Sequence, residues 1–272
     1  MPTSMPPVED CVLTPEDQPP FRVVNPGGAA AILVVCDHAA NAVPRRRGGL
    51  GLSAEELGRH IGWDIGAEAV ARGLAERLDA PAVLASFSRL VIDANRALDD
   101  PGSILAVSDG TVVPGNARLD AAARTAVASA IFWPYHRAIA AALDRMVARG
   151  VTPVLLSVHS FTPRLNGRER PWHLGVLWNE DPRVAVPLLR ELRRLPGLVV
   201  GDNEPYSGRT PTDFTIPYHA EARGLPHVML ELRQDEIDDD VGAARYAALI
   251  AAALAPILAD PTRLASAAAR AP

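Results

Sequence analysis

Apolar, β-branched runs alternate with amphipathic stretches along this chain. The first run, AAILVVCDH (30–38), is continuous, as a strand buried on both faces requires, and it ends in polar residues. AVLASFSRLVIDANR (82–96) reads as strand material ending in charge, and TPVLLSVHSF (152–161), HLGVLWN (173–179), LVVG (198–201) and HVMLELR (227–233) read as further strands. Between them, Ser53 followed by Glu56 has the capping-box spacing and predicts a short helix near 53–60. IGAEAVARGLAERL (65–78) has helical spacing, with Asp64 at or just before its start. A long helical stretch is expected over 118–149 with a break near Pro134, and others at 182–195, near 212–224 and at 241–259. Segments 97–117, 162–172 and 202–211 read as loops placed to shape a pocket. Residues 1–28, rich in proline and polar groups, read as an extended N-terminal segment, 29–262 as one folded domain, and 263–272 as a frayed tail.

Strands alternating with helices predict an α/β fold: a single domain built on a doubly wound, mostly parallel (mixed) sheet with helices on both faces. Composition narrows what such a domain does. The 272 residues contain no lysine, so all 27 basic residues are arginine. That excludes a Walker phosphate loop and any lysine Schiff base. A net charge of −5 argues against general nucleic-acid binding. Cys11 and Cys36 form no disulfide framework or zinc knuckle, no run reaches the ~20 apolar residues of a membrane span, and the start lacks a signal-peptide pattern, so a cytoplasmic location is expected.

In open α/β sheets, ligands sit beyond the carboxyl ends of the strands. Four predicted ends carry reactive side chains: Asp37-His38, Asp93-Ala94-Asn95-Arg96, His159-Ser160 and Glu231-Leu232-Arg233. Two histidines with carboxylates at separate strand ends are the ingredients of a hydrolytic zinc site, where imidazole and carboxylate hold the ion and one position is left for water. Each residue also has a purely structural alternative: His38 or His159 as a satisfied polar group, Glu231 as an arginine partner, Asp64 as a helix cap. Spacing does not give a third ligand. Asn41 stands one helical turn from His38 but is a poor zinc ligand, and Asp64 is the better candidate chemically. Tyr206 would either cover a pocket or pack on the surface. No role is assigned to His60 or His219, and Arg164–Arg170 reads as a solvated turn before a carboxylate clamp.

The segments CDHAANAVP (36–44), HIGWDIGAEAVARGLAERL (60–78), SRLVIDANR (88–96), SVHSF (157–161), NEPYSG (203–208) and GLPHVMLELRQDEI (224–237) together resemble the N-formylglutamate amidohydrolase family, in family order over about residues 30–240. The resemblance implies a fold similar to the zinc-dependent exopeptidases (phosphorylase/hydrolase-like). It implies one divalent metal, Zn2+, on His38, Asp64 and His159, with Asn41 in reserve because the exopeptidase motif has glutamate where this chain has asparagine. It further implies Glu231 as general base, and Arg89, Asn95, Arg96, Tyr206 and Arg233 around a small N-formyl or N-acyl amino acid substrate such as N-formylglutamate. Two other readings stay open: a peptidase or cell-wall-type amidase on the same scaffold, and a metal-free protein binding an acidic metabolite. Exact substrate, metal identity and oligomeric state are left undetermined by the sequence.

Overall fold

The computed structural model describes residues 12–209 and 212–265. In chain order these form strand β1 (Phe21–Val24), β2 (Ile32–Cys36), helices α1 (Ala54–Gly58) and α2 (Ala67–Leu78), β3 (Ala82–Ala85), the short hairpin β4 (Val107–Ser108) and β5 (Thr111–Val112), α3 (Ala121–Val127) and α4 (Trp133–Ala148). Then follow β6 (Val154–Phe161), the hairpin β7 (Arg164–Leu165) and β8 (Arg168–Glu169), β9 (Leu174–Leu177), α5 (Pro182–Leu192), β10 (Val200–Asp202), α6 (Thr215–His219), β11 (His227–Arg233), α7 (Asp240–Leu258) and α8 (Pro261–Leu264).

Seven strands make one mixed sheet in the order β1-β3-β2-β6-β11-β9-β10. β3, β2, β6 and β11 run parallel, while β1 and β9 pair antiparallel to β3 and β11. The continuous apolar strands arise because both faces are covered. Ile32, Val34 and Cys36 face the core under α2, α5 and α7, whereas Leu33 and Val35 face the core under α4 and α6. A third apolar cluster, from Leu50 and Ile61 through Phe87, Leu90–Ile92 and Phe132, caps the carboxyl ends of the central strands. The predicted fold class is the one observed.

Several boundaries differ from the sequence pattern. Only Ala82–Ala85 of the 82–96 run is strand. Leu90, Val91 and Ile92 are buried in the capping cluster, not in a ladder, and hydrophobicity alone cannot separate the two. Part of the extended lead-in, Phe21–Val24, adds the edge strand β1. Residues 1–11, including Cys11, and 266–272 of the expected tail lie outside the described residues. Near Pro134 the long helix does not end. It passes through a π-helical turn, Ala128–Phe132, because proline has no N–H to continue the ladder. α7 is, by length and composition, long and apolar enough to cross a membrane, contrary to expectation. Eight of its residues, from Ala243 to Ile257, are buried in the α2/α5/α7 core.

Candidate metal and active site

Strand periodicity puts the reactive side chains on one face. In β6, Leu155 faces the α4/α6 core, so Ser157 and His159, two and four residues on, share that face. In β11, Met229 does the same and carries Glu231 with it. The parallel register sets Glu231 directly beside His159. His38 leaves the end of β2 next to them. Asp64 is brought in by the chain entering α2: its N–H donates to the carbonyl of His38 at 3.0 Å. Gly66 makes that entry possible, since its φ is +79° and a Cβ there would meet the Ile237 carbonyl oxygen at 2.1 Å.

His38, Asp64 and His159 form a buried cluster whose ligand atoms lie within 4.8 Å of one another, a group able to hold a metal ion. Asp64 is the carboxylate of the group. The orientation of the two imidazoles tests the fit. His38 Nε2 donates to Asp93 Oδ1 at 2.7 Å, and His159 Nε2 donates to Asp37 Oδ2 at 3.1 Å. Both Nδ1 atoms are thereby turned to the same oxygen, Asp64 Oδ2, at 3.3 and 2.8 Å. Carboxylates on the outer nitrogens of two converging histidines are the usual support of a metal site. Asp37 is itself held by the hydroxyls of Tyr135, Ser157 and Thr215. Arg89 donates to Asp64 Oδ1 and Asp93 Oδ2, bridging a ligand and the partner of another ligand.

The charges are tightly coupled. Burial opposes ionisation of Asp64, but His38 and His159 hold its carboxyl well below the usual range. Burial also opposes charge on His159, and Asp37 and Asp64 outweigh it, raising the imidazole well above its ordinary value. His38 is raised too: burial and Arg89 push it down, and Asp93 and Asp64 push harder in the other direction. Glu231 behaves oppositely to these aspartates. Burial, reinforced by Asp64 and Asp213 against the pull of His159 and Arg89, lifts its carboxyl to about 8. Its Oε2 is buried without any hydrogen-bond partner. A buried carboxyl left unsatisfied beside a ligand cluster is a functional-site candidate.

The cleft, of about 380 Å³, is lined by His38, Asp64, Arg89, Asp93, Asn95, Arg96, His159, Tyr206, Asp213 and Glu231, among others. A larger hollow of about 480 Å³ lies elsewhere, between Asp181, Arg183, Glu221 and His227. It contains none of the clustered ligands, so the smaller cleft is the candidate site. The residues expected around the substrate divide into groups. Arg96 reaches Thr212 O at 2.5 Å and Asp213 at 3.5 Å, leaving part of its fork for a ligand. Asn95 is engaged by the N–H groups of Phe214 and Thr215 and ties that loop down. Arg233 is outside the lining and pairs with Asp235 and Glu236. His219 donates to or accepts from His136 at 2.9 Å behind the site, and burial lowers these imidazoles to about 3 and about 4. His60 lies 3.3 Å from Asp109. Sequence reasoning noted Asp37 and Asp93 but gave them no role. Their signal was a carboxylate immediately before one ligand and another at the end of the IDANR motif.

Comparison with known proteins gives a consistent result. The sequence model of N-formylglutamate amidohydrolase matches residues 30–237. Among solved structures, the gene product Atu2144 from Agrobacterium tumefaciens is 35% identical, covers 91% of this chain and 98% of its own, and superposes with a TM-score of 0.88. An N-formylglutamate amidohydrolase from Ralstonia eutropha is 20% identical over 88% of this chain and 97% of its own, with a TM-score of 0.62, a likeness of fold. No curated protein matches the sequence.

Proposed function

The chain belongs to the N-formylglutamate amidohydrolase family, and from that premise we propose that it hydrolyses the amide of an N-formyl or N-acyl amino acid, with Glu231 as general base and one divalent ion on His38, Asp64 and His159. The observation that carries this reading is Glu231 Oε2, buried and unpartnered on the strand next to His159. Two imidazole nitrogens and a carboxylate oxygen suit zinc. An ion held there supplies Lewis acidity, polarising the scissile carbonyl and acidifying the attacking water.

The chain's own groups do the rest. Glu231 accepts the proton of the attacking water and delivers it to the leaving amine; burial lifts its carboxyl to about 8, and a dication beside it would favour the ionised form that the first transfer needs. Arg96 holds the carboxylate of the amino acid through its free donors. Arg89 positions the site by fixing Asp64 against Asp93. Tyr206 walls the cleft mouth and limits water access.

The test is a panel of N-formyl and N-acyl amino acids, with and without a chelator, on wild type and Glu231→Gln. Turnover that vanishes on chelation, returns with zinc, and falls at least about 100-fold in a Glu231→Gln protein of full metal content is the expected result. Turnover that survives chelation, or survives in Glu231→Gln, overturns the assignment.

A further inference from the structure

The apolar part of the cleft leads away from the ligand cluster along one face of the sheet. β9 runs antiparallel to β11, with Gly175 opposite Glu231 and Leu177 opposite Met229. Alternate residues of a strand share a face, so Met229 and Leu177 lie on the face that carries Glu231, one step farther from His159. Both are buried, and they are the aliphatic part of a cleft wall that is otherwise polar, apart from the Tyr206 ring. The same two side chains, with Asp213, also line an adjoining hollow of about 170 Å³. Trp178 closes it on one side, and Ile216 and Pro217 of α6 close it on another.

The charges of this hollow do not favour an anion. Its one arginine among the described residues, Arg209, lies over the Trp178 ring at 5.1 Å, and the carboxylates of Asp213 and Glu221 stand on the same walls. A carboxylate entering it would lose its hydration and meet one cation against two carboxylates. An aliphatic group meets no such penalty and buries its surface against Leu177, Ile216 and Met229, the last of which adapts its shape readily. Arg96 decides which part of a substrate arrives there. The guanidinium that holds the amino acid's carboxylate also hydrogen-bonds Asp213 and the Thr212 carbonyl, and Asp213 lines both the cleft and the hollow. The side chain of an amino acid leaves the same carbon as its carboxylate, whereas the acyl half lies across the scissile bond. Resting on the amide-hydrolase reading above, we propose that the hollow beside Leu177 and Met229 receives the side chain of the substrate's amino acid, so that the site prefers N-formyl or N-acyl amino acids with a neutral aliphatic side chain over acidic ones.

The test is a series on metal-loaded wild type: the N-formyl derivatives of L-alanine, L-norvaline, L-norleucine and L-glutamate. From alanine to norleucine, kcat/KM should rise about fourfold per added methylene, and norleucine should exceed glutamate by at least about tenfold. A flat series, or glutamate equal to or better than norleucine, overturns the proposal. So does a gain from N-acetylglycine to N-hexanoylglycine in place of the gain toward norleucine, because the hollow would then take the acyl half. Ile216→Phe fills the hollow from α6 and should cut the norleucine-to-alanine ratio at least about tenfold, with the alanine substrate reporting that the variant is folded. Ile216→Ala should move the optimum to a longer chain, and a ratio unchanged in both variants overturns the assignment. Calorimetric binding of free L-norleucine and L-glutamate gives a readout independent of turnover: wild type should bind norleucine more tightly, and Ile216→Phe should abolish the preference. If wild type hydrolyses none of the substrates, the hydrolase reading fails, and this pair of ligands still decides what the hollow takes.

Discussion

Loading the site with a divalent metal should release protons, and the site's charges set the number. A metal binds the neutral Nδ1 of a histidine, so any proton on the ligand must leave. His159, between Asp37 and Asp64, is raised well above its ordinary value and contributes about one proton at pH 6.5. His38 is raised from 6.5, so at that pH it is more than half protonated. Glu231, at about 8, is almost fully protonated there, and a neighbouring dication favours its ionised form, adding about one more. The total is about 2.5–3 protons at pH 6.5. By linkage the metal affinity rises with pH, by about 2.5–3 decades per unit near pH 6.5, and the slope flattens above pH 8 once Glu231 is already ionised. The assay is calorimetric titration of the metal-free protein with zinc in buffers of different ionisation enthalpy, whose slope counts the protons. Glu231→Gln should lower the count by about one without losing the site. A release below about one proton, or a count unchanged in Glu231→Gln, would refute the assignment of these charges.

Three further outcomes follow from the geometry. Asp93→Asn keeps the shape but removes the charge on His38 Nε2, and chelator competition should show metal affinity weakened about 10–100-fold; a loss under about threefold would mean that Asp93 does not orient the ligand. Arg89→Met leaves Asp64 and Asp93 without their shared cation and should destabilise the metal-free chain by about 1–3 kcal/mol, less with zinc bound, since the dication replaces the missing charge; denaturation curves with equal effects in both states would contradict this. Gly66→Ala forces a Cβ against the Ile237 carbonyl at a left-handed position and should cost roughly 2–4 kcal/mol together with metal affinity, whereas an unchanged melting temperature would show that the approach of the chain to α2 is not fixed there.

What the sequence carried depended on how local each determinant was. Alternation within β6 and β11 is a two-residue property, so the apolar pattern by itself puts His159 and Glu231 at strand ends, and the register of β11 on β6 then makes them neighbours. The apolar runs likewise sufficed for the α/β class, because a strand covered on both faces has a composition that few other elements share. Asp64 is different. It reaches the cluster through the Gly66 turn and a backbone bond to His38, which join positions 26 residues apart, and its spacing from either histidine has no period to detect. The end of β3 failed for a related reason: burial of Leu90–Ile92 under the capping cluster imitates burial in a sheet. Arg170 shows the limit most clearly. The Asn166-Gly167 turn is readable as a turn, and the arginines around it look alike in the string RLNGRER. Whether one of them turns inward depends on Phe161 below it and on Tyr206, which comes from a loop more than thirty residues later in the chain. Three arginines of that string are thus solvated or paired as composition suggests, or stacked and unneutralised as composition cannot suggest, and only the tertiary partners distinguish them.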